Sequence, residues 1–119
     1  MNIIFGRDSL KSIDEKNTAL TVDSFKVGNN VIECFCLLSI EDMPLADLPT
    51  IHIQINLHET LIKEYKKKNW NYCKDAIAGL KGKFNGVLDE FYINLEQRID
   101  AFISQGVGED WHWALEKQI

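Results

Sequence analysis

Hydrophobic and polar positions change their period along this chain, and the change divides it. Residues 18–27 and 31–40 are rich in β-branched and aromatic side chains, with Gly28-Asn29-Asn30 between them. Glycine and asparagine tolerate positive φ, so the pattern predicts a β-hairpin. Strand alternation in the second run puts Cys34 and Cys36 on one face and Phe35 and Leu37 on the other. A two-stranded hairpin is marginal in water, so one face must pack on the rest of the chain. Residues 3–5 are expected to add a short third strand, with 6–16 as a polar connection.

The stretch from Asp42-Met43-Pro44 through Asp47-Leu48-Pro49 reads as a link, because each proline fixes φ and biases its predecessor away from the helical basin. Pro49 equally suits the first turn of a helix. Residues 50–58 then alternate polar and apolar as a strand would. Yet Ile51, Ile55, His58, Ile62 and Tyr65 also form one helical stripe, with Ile53, Leu57 and Leu61 on its shoulder. The expectation is a helix over 49–68, since the pattern runs unbroken into a helical segment; a strand to residue 56 and a shorter helix is the alternative.

Asn69 or Asn71 can cap a second helix with Trp70, Cys73, Ile77 and Leu80 on one side, and Gly82 ends it. Asn85 is expected to cap a third, over 86–104, with Leu88, Phe91, Leu95, Ile99 and Phe102 as its buried stripe. Asp89 and Glu90 fall in its first turn, where the helix dipole favours negative charge. Gly106 and Gly108 release the chain, and the tail returns Trp111 and Trp113 toward apolar surface. The predicted fold class is α+β: an N-terminal hairpin or small antiparallel sheet packed on three helices. The expected organisation is a single domain over 1–119, with a β-rich part (1–48), a helical part (49–105) and an aromatic C-terminal segment (106–119).

Composition narrows the class. The 119 residues suit one core, and 45% hydrophobic content with only two prolines argues against disorder. No apolar run approaches the ~20 residues that span a bilayer, and the N-terminal residues are too short and too acid-flanked for a signal peptide. A cytoplasmic location without membrane contact is therefore expected. Cys34, Cys36 and Cys73 form an odd set, and strand positions i and i+2 are poorly placed to bridge, so reduced thiols follow.

Charge adds a second pattern. The net charge of −5 argues against a dedicated duplex-DNA binder, which needs a basic surface. From residue 63 to 83, however, there are seven lysines against Glu64 and Asp75, whereas from Asp89 onward seven acids face Arg98 and Lys117. Two helices with complementary solvated faces explain this most simply. A polyanion-binding patch is the alternative.

Three resemblances bear on the helical half. Tyr65, Trp70 and Cys73 are spaced as in the Y-x4-Y-x2-A turn of a tetratricopeptide repeat, although Lys68 stands where that family has glycine and no repeat period follows. Residues 57–70, Phe91-Tyr92 to Arg98 and Glu109-Asp110-Trp111 resemble the non-catalytic helical segment that follows the catalytic domain in some bacterial class III nucleotide cyclases. Nothing resembles the cyclase domain itself, so cyclase activity is not implied. The run Leu80-Lys81-Gly82-Lys83-Phe84-Asn85-Gly86-Val87-Leu88-Asp89-Glu90-Phe91-Tyr92, with Asp42-Met43-Pro44-Leu45 upstream, is similar to small proteins of tailed bacteriophages, including cyanophages. That likeness implies an accessory protein of the host cytoplasm.

Catalytic motifs fail on inspection. His58-Glu59-Thr60-Leu61-Ile62 begins as H-E-x-x-H does, but Ile62 replaces the second imidazole that would grip zinc. Cys34, Cys36, His52, His58, Cys73 and His112 include no pair at zinc-finger spacing, so no metal is expected. Cys73 has Lys74 beside it but lies on an apolar stripe, where burial is the simpler fate. Glu96 and Asp100, four apart, lack a pocket. Glycines 79, 82 and 86 lack the order of a phosphate loop. The expectation is no catalytic residue, no cofactor and a non-enzymatic interaction protein that self-associates as a homodimer, with a host protein as a further partner. Trp111, His112 and Trp113 are the expected partner-binding residues, because three consecutive side chains cannot all face inward and tryptophan anchors interfaces. An edge strand of the hairpin offers a second route to dimerise. The alternative is binding of single-stranded nucleic acid or another polyanion through Lys66, Lys67, Lys68 and Tyr72.

Overall fold

The computed structural model describes residues 2–13, 16–108 and 111–116, without the side chains of Asn2, Ser12 and Glu116. It shows the α+β fold. Strand β1 (Asn2–Phe5), β2 (Asn17–Val27) and β3 (Asn30–Ser39) form an antiparallel sheet, followed by helices α1 (Ile51–Lys66), α2 (Trp70–Leu80) and α3 (Asp89–Gln105). A two-residue strand, β4 (Leu115–Glu116), joins β2 in parallel, giving the order β1-β3-β2-β4. Glu109, Asp110 and Lys117, which entered the charge pattern and one resemblance, lie outside the described residues.

The hairpin forms where the composition placed it, and Gly28 takes φ 61 in its turn. The turn is one residue tighter than expected, since Asn30 already pairs with Val27. In β2 the register shifts between Thr21 and Ser24, so Val22 and Asp23 both oppose Cys34. Such a bulge re-aims side chains. Val22 is buried, and Asp23 reaches Arg98 of α3, with Nη1 to Oδ1 at 3.0 Å and Nη2 to Oδ2 at 3.4 Å.

Residues 50–56 are helical or lie in the 3-10 turn before α1, so the strand alternative is wrong: hydrophobic continuity into residue 65 outweighs local alternation. The buried face is Ile51, Gln54, His58, Leu61, Ile62 and Tyr65. Ile53, assigned to the shoulder, is instead 68% exposed. Asn69 occupies the N-cap position of α2, but its side chain turns back to Glu64 (3.0 Å). Asn85 does not cap α3. It lies in a 3-10 turn with φ 55, and α3 starts after Leu88. Asp89 instead accepts the Gly82 N–H at 2.8 Å, which ties the linker to the first turn of α3.

One hydrophobic cluster joins the sheet to the helices. Leu20, Cys36 and Leu38 supply the sheet side, and Leu61, Ile77, Leu80, Leu88, Leu95 and Ile99 the helical side. Phe84 and Tyr92 are also fully buried. No helix among the described residues is long and apolar enough to cross a membrane.

Candidate functional site

The residues expected to meet a partner are engaged within the molecule. Trp111 packs on Tyr65, Trp70 and Phe102 with ring centroids 5.5–5.7 Å apart. Trp113 stacks on His112 at 3.8 Å and receives the Lys66 ammonium at 5.2 Å. Both tryptophans and His112 are partly buried. Trp70 and Phe102 therefore close one end of the helix pair, while Phe91 lines the groove beside the sheet.

The basic segment is likewise engaged. Lys67 lies 3.7 Å from Glu64, Lys68 sits over Trp111 at 5.9 Å, and Tyr72 packs on the core. Lys74 of α2 and Lys81 just after it reach Asp100 (2.6 Å) and Glu96 (2.9 Å) of α3, the complementary faces that the charge pattern implied. Those two acids are thus paired with lysines rather than with each other.

The groups considered for catalysis have structural partners. Cys73 is fully buried, and its thiol points at the Leu61 carbonyl oxygen (3.9 Å). Burial pushes that thiol up to about 11, which keeps it protonated at neutral pH. His58 is fully buried as well. Its Nε2 lies 2.6 Å from the Thr21 carbonyl oxygen, which can only accept, so Nε2 carries the proton. Nδ1 then accepts the Tyr92 hydroxyl at 2.8 Å. Glu59 accepts the Thr21 N–H at 3.0 Å, so two adjacent side chains of α1 satisfy both backbone groups of one residue on the outer edge of β2. No cluster of three or more His, Cys, Asp or Glu residues among those described could hold a metal ion.

What remains open is the opposite edge of the sheet. β1 pairs with β3 on one side and, among the described residues, with no strand on the other. Ile3 and Phe5 oppose Cys36 and Cys34, so they share the helix-facing side with those core cysteines. The helices do not reach far enough to cover it. Ile3, Phe5, Val22, Phe25, Cys34 and Phe91 line an apolar groove there, with Asp23 as its single charged member. Phe5 is 57% exposed.

No protein-family model, curated protein or solved structure matches this chain.

The sequence anticipated a free edge but placed it on the hairpin. Both hairpin strands have neighbours: β3 lies between β1 and β2, and β2 is covered by α1 at Thr21 and by β4 at Phe25 and Lys26. β1, outside the hairpin, has no strand on its outer side among the described residues. A run of Ile3-Ile4-Phe5 without a charge was the signal. Its meaning depends on which strand ends up outermost, and that is set by long-range pairing.

Proposed function

We propose that this chain works by binding rather than catalysis, as a self-associating protein whose contact surface is the β1 edge and the apolar groove beside it. One observation carries this: an uncharged outer strand with a half-exposed phenylalanine, beside a groove that the helices leave uncovered. Exposed edges of this kind template further strands unless charge, proline or a bulge protects them. Support comes also from what is occupied elsewhere. Cys73, His58, Glu96 and Asp100 all serve packing or pairing, and Trp70 and Trp111 close the helical end. Three buried free cysteines suit a reducing compartment, so we place the protein in the cytoplasm, as a phage accessory protein would be in its host. A host protein is the next candidate for the same groove.

Light scattering over micromolar concentrations tests the proposal. A dimer mass is expected, and a monomer throughout would overturn it. Binding of single strands through Lys66, Lys67, Lys68 and Tyr72 is the competing function. The net charge of −5 weighs against it, although Lys67 and Lys68 remain exposed. Anisotropy of a labelled single strand at low salt should stay flat. A salt-sensitive rise lost on Lys66, Lys67 and Lys68→Glu would favour the competitor.

A further inference from the structure

The hydrogen-bonding phase of β1 constrains how a strand can add to it. The Gly6 N–H donates to the Glu33 carbonyl at 2.7 Å, and the register pairs Ile4 with Phe35. Bonded and non-bonded pairs alternate in an antiparallel ladder. Ile4 therefore exchanges its backbone bonds with β3, and the N–H and C=O of Ile3 and Phe5 point off the sheet. The Ser9 hydroxyl reaches the Phe5 carbonyl at 2.9 Å, which leaves that oxygen a second lone pair.

We propose that β1 pairs antiparallel with β1 of a second copy about a two-fold axis at Ile4, so that one sheet runs through both molecules. This rests on the self-association proposed above and specifies its geometry. With Ile4 on the axis, Ile3 of each copy faces Phe5 of the other, and these are the residues whose backbone groups point outward. Each such pair exchanges both bonds, and the phase is self-complementary. Ile3 and Phe5 both lie on the groove side, so Phe5 of one copy covers Ile3 of the other and extends the groove into a shared apolar layer. On the opposite face the two Ile4 side chains meet at a close, non-hydrogen-bonded pair.

Charge permits a second copy at this edge. A molecule of net charge −5 repels itself unless the surfaces that meet are neutral. Asn2–Phe5 carries no charge, and Arg7 just beyond it is tied to Glu33 at 2.7 Å, so no like charges are brought together along the strand. The strand contains no lysine, proline or bulge; its four-residue length and the Ser9 hydroxyl on the Phe5 carbonyl are the protections seen among the described residues.

Two variants test the register. Ile3→Pro deletes an N–H that points off the sheet and leaves the β1–β3 ladder its bonds, which edge strands tolerate. It removes one hydrogen bond per copy and should weaken dimerisation by at least about tenfold in sedimentation equilibrium. Ile4→Cys places two thiols across the axis, where the Cα separation of about 4.5 Å falls in the range for a disulfide. Mild oxidation should give a covalent dimer on a non-reducing gel, whereas Lys63→Cys on exposed α1 surface should not. A wild type that is monomeric overturns both the self-association and this register. A dimeric wild type with unchanged Ile3→Pro affinity and no Ile4→Cys cross-link overturns the register alone. If circular dichroism shows Ile3→Pro unfolded, the cross-link decides.

Discussion

His58 shows how much one residue can be asked to hold. It joins α1 to the β2 edge through the Thr21 carbonyl and to α3 through Tyr92, inside a shell that includes Phe84 and Phe91. Burial lowers its pKa below the ordinary 6.5, against the opposing effects of the Thr21 bond and Glu59. The folded state thus keeps the ring neutral where the unfolded chain would protonate it. The stability this provides is complete above about pH 6.5 and declines as pH falls from there toward the folded pKa, with a slope of up to about 1.4 kcal/mol per pH unit. Urea titrations between pH 8 and 5 should show this fall in the wild type and a flatter profile in His58→Gln, whose amide can keep both contacts. Equal slopes would mean that other groups govern the acid limb. Tyr92→Phe leaves Nδ1 buried without a donor and should cost about 1–3 kcal/mol at neutral pH. At the same scale, Cys34, Cys36 and Cys73 are all buried. A thiol reagent at pH 8 should therefore label the native protein far more slowly than it labels the three thiols in denaturant.

At the scale of elements, backbone sterics separate what was legible from what was not. The hairpin was readable because Gly28 and Asn29 make a turn from local residues alone. The helical character of residues 51–66 was readable only from the stripe that extends to Tyr65, because nine residues of alternation fit either period. The start of α3 was misplaced because Asn85 has two local uses, capping and left-handed backbone. Phe84 at φ 53 and Gly86 at φ 73 commit it to the second. Lys68, in the turn between α1 and α2, also takes φ 64. A lysine there costs about 1–2 kcal/mol, partly offset by glycine's greater freedom when unfolded. Lys68→Gly should then stabilise the protein by about 0.5–1 kcal/mol, seen as a higher urea midpoint at constant m-value. A lower midpoint would show that the ammonium over Trp111 outweighs the strain.

For the whole molecule, the unanticipated part is how the C-terminal segment closes two surfaces at once. Trp111 completes the ring cluster at the helical end, and a few residues later Leu115 and Glu116 pair with β2 and cover its edge beside the bulge. No local pattern announces a two-residue parallel strand, and a pair of tryptophans near a chain end looks the same whether it meets a partner or its own core. Tyr92 and Gln54 were missed as buried residues for a related reason: they flank the apolar stripes, and only the packing of α1 and α3 on the sheet encloses them. The structure separates the two tryptophans in a measurable way. Trp111→Ala removes contacts with three rings and should cost about 2–4 kcal/mol. Trp113→Ala loses one stacked imidazole, one cation over its face and its partial packing on the core cluster, about 1–2 kcal/mol. Neither change touches β1. At concentrations where both variants remain folded, sedimentation should return the wild-type dimer affinity for each. A folded Trp113→Ala protein that is monomeric would move the contact surface from the sheet edge to the C-terminal segment.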